Sequence, residues 1–262
     1  MTTYLDRILD AHRARARRDG RSLDRLVAAA EEVPACRGFR MALETCSGLG
    51  VIAEIKRRSP SRGDLHDGLD PAGMAQRYHQ GGATCLSVLT DGAHFGGSPD
   101  DLQAARGAMP LPVLRKDFTV SEGDVCDARL MGADAVLLIV AALDGPELEG
   151  LSALARHLGL DALVETHDED EVERALAAGA DLIGVNQRDL RTFEVDQARA
   201  VRVAASIPAE VTAVAESGVR GVADARALAA AGYRAVLVGE SLVTAGDPAA
   251  AVADLRSVIA VP

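Results

Sequence analysis

The sequence predicts an α/β protein, a single (β/α)₈ barrel preceded by a helical extension. Eight short apolar segments alternate with helical patterns along the chain, and a glycine-led phrase recurs among them. The length of 262 residues also suits one such barrel. An open, doubly wound sheet is the alternative, but no GxGxxG motif follows the first strand to favour it.

The recurring phrase marks the places where helices end and strands begin. It reads GGATCLSVLT at 81–90, MGADAVLLIV at 131–140, AGADLIGVNQ at 178–187 and AGYRAVLVGE at 231–240. The copies are about 50 residues apart, an interval typical of repeat architectures. Each glycine suits the end of a helix that leads into a short β-rich run. The phrase therefore indicates a repeated helix–turn–strand unit.

The remaining strands lie between these copies. The eight predicted strands are 51–56, 85–90, 112–117, 135–140, 161–166, 182–186, 212–217 and 235–240. Amphipathic stretches such as 168–179 and 221–232 separate them. Near-continuous apolar strands that alternate with helices indicate a parallel sheet covered by helices, and eight such units favour closure into a barrel.

Residues 1–46 precede the first strand and are predicted to form a helical extension packed on the barrel. Arginines cluster within 13–18, as they do in transit peptides, but the spacing of Leu5, Ile8 and Leu9 and the nearby aspartates favour an amphipathic helix. No linker rich in Pro, Gly or Ser marks a second domain. We therefore expect one domain over 1–262.

Composition argues against several classes of protein. Hydrophobic residues make up 48% of the chain, yet no apolar run approaches the ~18 residues of a membrane span. The net charge of −11 argues against nucleic acid or an anionic membrane as a partner. The four cysteines include no CxxC motif, which indicates reduced thiols in a cytoplasmic protein and neither disulfides nor a zinc site. We expect no metal.

Polar residues concentrate at the carboxyl ends of the predicted strands, where barrels of this kind hold their active sites. These residues are Glu54, Lys56, Lys116, Asp117, Glu165, Asn186, Arg188, Glu216 and Ser217. Taken singly, each is equally well explained as a charge that enters a solvated loop. Carboxylates and lysines from different strands that meet at one mouth perturb each other's pKa and supply acids and bases.

Glycines and hydroxyls after three strands indicate a phosphate site. ESG at 216–218 follows the seventh strand, GES at 239–241 follows the eighth, and SPSRG at 59–63 follows the first. Loops after strands seven and eight usually bind phosphate in these barrels. The plainer alternative is that these glycines only make tight turns.

Several apolar residues are also placed at the mouth. They are Phe95, Phe118, Leu137, Ile139, Leu190 and Leu237. Core filling is the safer interpretation of each leucine, whereas two of only four phenylalanines follow strands two and three. An aromatic substrate would suit such a wall.

These motifs resemble those of the indole-3-glycerol-phosphate synthase family of tryptophan biosynthesis. The matching segments, in chain order, are AEIKRRSPSRG, LSVLTD, FGGS, PVLRKDF, GADAVLLI, LVETHDE, GVNQRDL, AESGV and VLVGESLV. They cover most of the chain, and each lies on its expected strand.

The resemblance implies a carboxy-lyase that closes a ring in 1-(2-carboxyphenylamino)-1-deoxyribulose 5-phosphate, with loss of CO2 and water, to form indole-3-glycerol phosphate. It implies no cofactor and a small phosphorylated substrate as the ligand. It is also consistent with a cytoplasmic monomer, and weak association with other tryptophan-pathway enzymes is left open.

The resemblance also implies roles for individual residues. Lys116 matches the general acid, and Glu165 matches the carboxylate of the later dehydration. Glu54 and Lys56 match a pair whose lysine either holds the substrate carboxylate or delivers a proton. Residues that match orienting and polarising groups are Asn186, Arg188, Glu216 and Ser217. Phosphate-binding positions are Ser59, Ser217, Gly218, Gly239 and Glu240, and the wall around the anthranilate ring is Phe95, Phe118, Leu137, Leu190 and Leu237.

Three further expectations concern side chains. We expect neighbouring ammonium groups and partial burial to lower the pKa of a catalytic lysine. Glu240 can offer only its backbone N–H to a phosphate, so its side chain should turn away. Gln187, where many relatives have asparagine, should point away from the mouth.

Two other functions stay open on sequence alone. A phosphoribosylanthranilate isomerase has the same barrel and phosphate site but uses a cysteine and an aspartate, whereas the first strand here ends in Glu-x-Lys. A non-catalytic barrel that only binds a phosphorylated ligand is the second alternative, and the intact acid–base set argues against it.

Overall fold

Eight parallel strands close into one barrel in the computed structural model, which describes residues 3–59, 62–66, 68–189 and 194–259. The strands are β1 Gly50–Ile55, β2 Cys85–Leu89, β3 Val113–Lys116, β4 Ala135–Ile139, β5 Asp161–Thr166, β6 Leu182–Asn186, β7 Thr212–Glu216 and β8 Ala235–Val238. Each strand pairs with its neighbours in sequence, and β8 pairs with β1 to close the barrel. The predicted fold class is confirmed.

Some strands end earlier than the sequence predicts. Strand β7 ends at Glu216 because Ser217 has φ +64°, a left-handed conformation that no strand continues through. Strand β8 ends at Val238 because a short helix begins at Glu240. The polar residues after these strands therefore belong to the turns at the barrel mouth.

Helices surround the barrel and precede it. They are α1 Tyr4–Arg18, α2 Leu23–Glu31, α3 Phe39–Thr45, α4 Pro71–Gln80, α5 Gly92–Phe95, α6 Pro99–Ala108, α7 Glu122–Leu130, α8 Gly145–His157, α9 Glu169–Ala177, α10 Arg199–Val203, α11 Val222–Ala230, α12 Glu240–Val243 and α13 Pro248–Arg256. Aspartate or serine side chains cap most of those that follow the barrel strands, for example Ser121 before α7 and Asp168 before α9. None of the described helices is long and apolar enough to cross a membrane.

The recurring glycines end helices, as their sequence context predicts. Gly82, Gly132, Gly179 and Gly232 all have positive φ, between 77° and 101°. The backbone N–H of the residue after each glycine donates a hydrogen bond to a carbonyl in the last turn of the helix. For example, Ala83 N donates to Tyr78 O at 2.9 Å. This six-residue return is the Schellman arrangement, which glycine adopts without a steric penalty.

The inner face of the barrel changes from apolar to polar along the strands. Ile52, Leu163 and Val214 are fully buried in its lower part. Two residues nearer the carboxyl end of each strand, and on the same inner face, lie Glu54, Glu165 and Glu216. Their exposed fractions are 5%, 1% and 1%. Buried carboxylates require partners, so this upper layer is where a functional site is expected.

Three helices occupy the stretch before β1, and each of them contacts elements of the barrel. Arg13 of α1 donates to Glu147 Oε1 at 2.6 Å and to Ala142 O at 2.8 Å. Phe39 and Leu43 of α3 are fully buried. The assignment of 1–262 to a single domain stays a prediction.

Candidate active site

A cavity of about 520 Å³ opens at the carboxyl ends of the strands. Every site residue predicted from the sequence lines it except Leu190, which falls outside the described residues. The lining residues named above are Glu54, Lys56, Ser59, Phe95, Lys116, Phe118, Leu137, Glu165, Asn186, Arg188, Glu216, Ser217, Gly218, Leu237, Gly239 and Glu240. Ile139 and Asp117 line it as well.

A lysine between two carboxylates forms the centre of the cavity. Lys116 Nζ, at the end of β3, lies 3.0 Å from Glu165 Oε2 and 3.4 Å from Glu216 Oε2. The three residues come from β3, β5 and β7, so only barrel closure brings them together.

Glu54 and Lys56, which the sequence places on one face at the end of β1, form a second pair of a lysine and a carboxylate. Lys56 Nζ donates to Glu54 Oε1 at 2.5 Å, and both side chains are largely buried. Gly239 faces this pair, and a Cβ there would collide with Glu54 Oε1. The glycine after β8 therefore makes room for the carboxylate on β1.

Burial and charge set the protonation states of the central cluster. Burial disfavours the ammonium of Lys116, but Glu165, Glu216 and Glu54 outweigh it and raise its pKa above the ordinary value. Burial raises the pKa of Glu216 to about 8, with the charge of Glu165 adding to the shift and Lys116 opposing it. Burial also acts on Glu165, but Lys116 and His167 outweigh it and lower its pKa. At neutral pH the cluster thus holds one base, Glu165, and two proton donors.

The expectation of a lowered lysine pKa is therefore wrong for Lys116. The groups around its Nζ are carboxylates, because Glu165 and Glu216 flank it and Lys56 is paired with Glu54. An ammonium held in this way is a weak acid toward water, but it readily protonates an alkoxide, which is a stronger base.

Turns after β7 and β8 line one side of the cavity. Ser217 and Gly218 have φ of +64° and +73°, and strain at a non-glycine residue of this kind clusters at functional sites. Gln187 is 2% exposed and does not line the cavity; its Nε2 donates to Ser217 O at 2.7 Å and holds this turn. Its side chain is therefore turned out of the cavity, as expected, although it contacts a turn at the mouth.

The carboxylate of Glu240 is paired with an arginine. Glu240 Oε1 lies 2.8 Å from Arg62 Nη2. Arg220 also lines the cavity, and its Nη2 donates to Gln197 Oε1 at 2.6 Å. Sequence reasoning assigned no role to either arginine, although Arg62 lies within the predicted motif SPSRG and Arg220 follows ESG after one residue.

Two phenylalanines form an aromatic wall opposite these turns. The ring centroids of Phe95 and Phe118 are 6.4 Å apart, with 37° between the ring planes. Leu137 and Leu237, 2% and 4% exposed, complete the apolar surface. An apolar surface of this kind suits a flat ring, and Lys116 lines the same cavity.

One group of possible metal ligands occurs among the described residues, behind the aromatic wall. Ligand atoms of His12, Asp91 and Asp117 lie within 4.8 Å of one another. His12 Nε2 already bonds to Asp91 at 3.1 Å, and Arg15 approaches its Nδ1 at 3.1 Å. Asp117 accepts from Phe118 N at 2.8 Å. These hydrogen bonds hold α1 against the barrel next to Phe118. The Arg15 guanidinium beside the three ligand atoms would repel a metal cation.

The lysine count is a further signal that sequence reasoning missed. Lys56 and Lys116 are the only lysines in the chain, and the other basic residues, histidines aside, are arginines. Both lysines line the cavity. Arginine serves for structural ion pairs, whereas a lysine ammonium can exchange its proton.

The fold defines the chain as a (β/α)₈ barrel, with a buried cluster of titratable side chains at the carboxyl ends of its strands. The family model described as indole-3-glycerol phosphate synthase matches residues 5–255. A protein of Mycolicibacterium smegmatis with that name is 54% identical over 255 residues, which cover 97% of this chain and 93% of that one. Indole-3-glycerol phosphate synthase 1 of Streptomyces coelicolor is also 54% identical, with coverage of 97% and 94%. The chain belongs to the indole-3-glycerol phosphate synthase family.

A solved structure with low sequence identity shares the fold. Thiamine phosphate pyrophosphorylase from Pyrococcus furiosus superimposes with a TM-score of 0.60 at 18% identity, covering 79% of this chain and 94% of that one. At this identity the similarity concerns the barrel alone.

Proposed function

We propose that this chain is a carboxy-lyase of tryptophan biosynthesis that converts 1-(2-carboxyphenylamino)-1-deoxyribulose 5-phosphate into indole-3-glycerol phosphate, CO2 and water. The observation that supports this best is Lys116 held between Glu165 and Glu216 at the mouth of a barrel of this family. The reaction needs an acid for the departing oxygen and a second acid–base group, and this cluster supplies both.

Lys116 is the proposed acid for ring closure. Its ammonium protonates the substrate carbonyl oxygen as the ring carbon attacks, when that oxygen becomes strongly basic. Glu165, whose lowered pKa keeps it ionised, takes the proton that leaves the substrate during dehydration. Glu216, which keeps its proton up to about pH 8, supports the departing hydroxyl as a second donor.

The flanking residues orient the substrate in this proposal. Lys56 offers its ammonium to the substrate carboxylate, and Glu54 holds that ammonium in place at 2.5 Å. Asn186, Arg188 and Ser217 line the cavity beside Glu165 and Glu216 and orient the substrate chain. Loss of CO2 then removes the carboxylate charge that Lys56 had matched.

In this proposal the phosphate group and the anthranilate ring of the substrate bind at opposite sides of the cavity. Backbone N–H groups and hydroxyls of the turns after β1, β7 and β8 hold the phosphate. Arg62 and Arg220, which pair with Glu240 and Asp224 in this structure, lie beside these turns and can also donate to a phosphate. The proposed phosphate-binding residues are Ser59, Ser217, Gly218, Gly239 and Glu240, the last through its backbone. The proposed ring-binding residues are Phe95, Phe118, Leu137, Leu190 and Leu237.

We further propose that the enzyme works as a monomer in the cytoplasm on this small phosphorylated substrate. Its four cysteines are unpaired, which suits a reducing compartment. The acid–base route requires no cofactor, since every proposed step is a proton transfer or a bond change within the substrate.

The test is an assay of the purified chain with synthetic substrate. The chain has no tryptophan, so fluorescence of the indole product can be followed with little protein background. We expect fluorescence and CO2 to appear in equal amounts. No product from this substrate, but conversion of N-(5-phosphoribosyl)anthranilate into it, would favour the isomerase alternative. Binding without turnover of either compound would favour the non-catalytic barrel.

A further inference from the structure

A histidine outside the cavity approaches the catalytic carboxylate from behind. His167 follows β5 directly, and its Nε2 lies 3.7 Å from Glu165 Oε1. Both atoms are buried, and among the described residues neither has a hydrogen-bond partner. Two unpaired polar atoms that face each other are costly to bury, and a small side-chain rotation would join them. His167 is not among the residues that line the cavity.

Glu171 of α9 fixes which ring nitrogen faces Glu165. Its Oε2 accepts the backbone N–H of His167 at 2.8 Å and lies 3.0 Å from Nδ1. A carboxylate only accepts hydrogen bonds, so Nδ1 carries a proton and Nε2 is the nitrogen that gains or loses one. The side chains of His167 and Glu171 are 13% and 16% exposed, whereas that of Glu165 is 1% exposed.

The proposed reaction requires a proton from solvent in every turnover. The substrate carboxylate leaves as neutral CO2, and the carbonyl oxygen leaves as water, which takes two protons. The substrate itself loses one proton as the indole ring forms. The second proton must therefore come from solvent, and once in every turnover it must reach a buried acid–base cluster.

We propose that His167 relays this solvent proton to Glu165, with Glu171 as the group that orients it. The Nε2–H bond of the imidazolium breaks and a proton bond to Glu165 Oε1 forms, which leaves neutral imidazole and a neutral carboxyl. Lys116 becomes a neutral amine when it protonates the substrate, and Glu165 passes its proton to that amine, 3.0 Å away. The Glu165 carboxylate and the Lys116 ammonium are then restored, and His167 regains a proton from water. His167 acts through Glu165, so it is a positioning and relay residue. The inference rests on the proposed function.

The charged groups around His167 agree with this role. Burial disfavours its charged form, but Glu171 and Glu165 outweigh burial and raise its pKa, and Arg199 of α10 partly opposes them. The imidazolium is therefore present over a wider pH range than for an exposed histidine. Loss of Glu171 should narrow that range.

The experiment compares kcat and KM over a pH series for the wild type and His167→Ala, His167→Asn and Glu171→Gln. Imidazole is added as a small proton carrier. His157 supplies the matched control, because its Nε2 lies 2.9 Å from Glu31 in an exposed pair at the end of α8, and it does not line the cavity. Thermal melting shows whether each variant folds.

We expect His167→Ala to lower kcat by about 10²-fold with little change in KM, and imidazole to restore activity in proportion to its concentration. His167→Asn keeps a donor but no titrating proton, so it should stay slow. Glu171→Gln should move the alkaline fall of kcat to lower pH, and His157→Asn should behave as wild type.

Three results would overturn the relay. They are wild-type kcat in His167→Asn, a loss in His167→Ala that imidazole does not restore, and an unchanged alkaline limb in Glu171→Gln. If the wild type itself forms no indole product, the proposed function fails and the relay fails with it. Normal wild-type turnover with any of the three results rejects the relay alone.

Discussion

The carboxylate of Glu216 occupies space that Gly184 leaves open. The two residues lie on neighbouring strands β7 and β6, and a Cβ on Gly184 would overlap Glu216 Oε1. The absence of a side chain on one strand thus places an acid from the next strand within 3.4 Å of Lys116.

Gly184→Ala should therefore lower turnover without unfolding the protein. The added methyl displaces Glu216, and a misplacement of about 1 Å near the reacting atoms costs about 10²-fold in rate. We expect kcat to fall by that order with a smaller change in KM. Gly107→Ala in α6 is the control, because a Cβ there meets no atom within 4 Å. Normal kcat in Gly184→Ala would show that the position of Glu216 is unimportant.

Lys116→Met should abolish turnover and leave the fold intact. The variant loses the proposed general acid, a contribution of about 10²–10⁴-fold, while the unbranched side chain still fills the space. Circular dichroism and melting would confirm folding, and product fluorescence would report kcat. Near-normal activity would contradict the role assigned to Lys116.

The raised pKa of Lys116 can be measured directly because the chain has only two lysines. Labelling with [ε-¹³C]lysine gives two side-chain resonances, which Lys116→Met assigns. We expect the Lys116 resonance to titrate above the ordinary lysine value of about 10.4, since three carboxylates stabilise its charge. Glu165→Gln removes one of them and should lower that pKa. Titration of Lys116 below the ordinary value would contradict the charge arrangement described here.

Glu216→Gln should stabilise the protein at alkaline pH. The folded-state pKa of Glu216 is about 8, whereas the unfolded side chain ionises near 4.5. Between these values the unfolded state loses a proton that the folded state keeps, so the wild type loses stability as pH rises to about 8. Glutamine removes this effect.

We expect melting temperatures of wild type and Glu216→Gln to be similar at pH 4 and to differ by several degrees, roughly 2–4 °C or more, at pH 8. The variant should be the more stable protein and the slower enzyme. Equal melting temperatures at both pH values would show that Glu216 ionises normally in the folded state.

Most of the fold and the membership of the cavity could be predicted from local patterns. The glycines at 82, 132, 179 and 232 predicted helix ends, and all four adopt the expected left-handed conformation. Alternation along β1 placed Glu54 and Lys56 on one face, and both line the cavity. Helix-ending glycines and the alternation of side chains along a strand are patterns within a few consecutive residues. They can therefore be recognised in one chain segment without knowing the rest of the fold.

Contacts between strands could not be predicted in this way. The sign of the pKa shift of Lys116 depends on distances to Glu165, Glu216 and Glu54, which lie on three other strands. The approach of His167 to Glu165 also depends on how β5 turns into α9. Arg62 and Arg220 are ordinary loop residues until the barrel places them at one mouth.

The sequence by itself determined the number and order of the barrel strands and which of their residues face inward, because periodicity and turn chemistry are local properties of the backbone. Only the tertiary structure decided which inward-facing charges meet. Closure of the barrel removes Glu165, Glu216 and Lys116 from water together, and the strength of a charge interaction depends on separation and burial, neither of which a linear sequence contains.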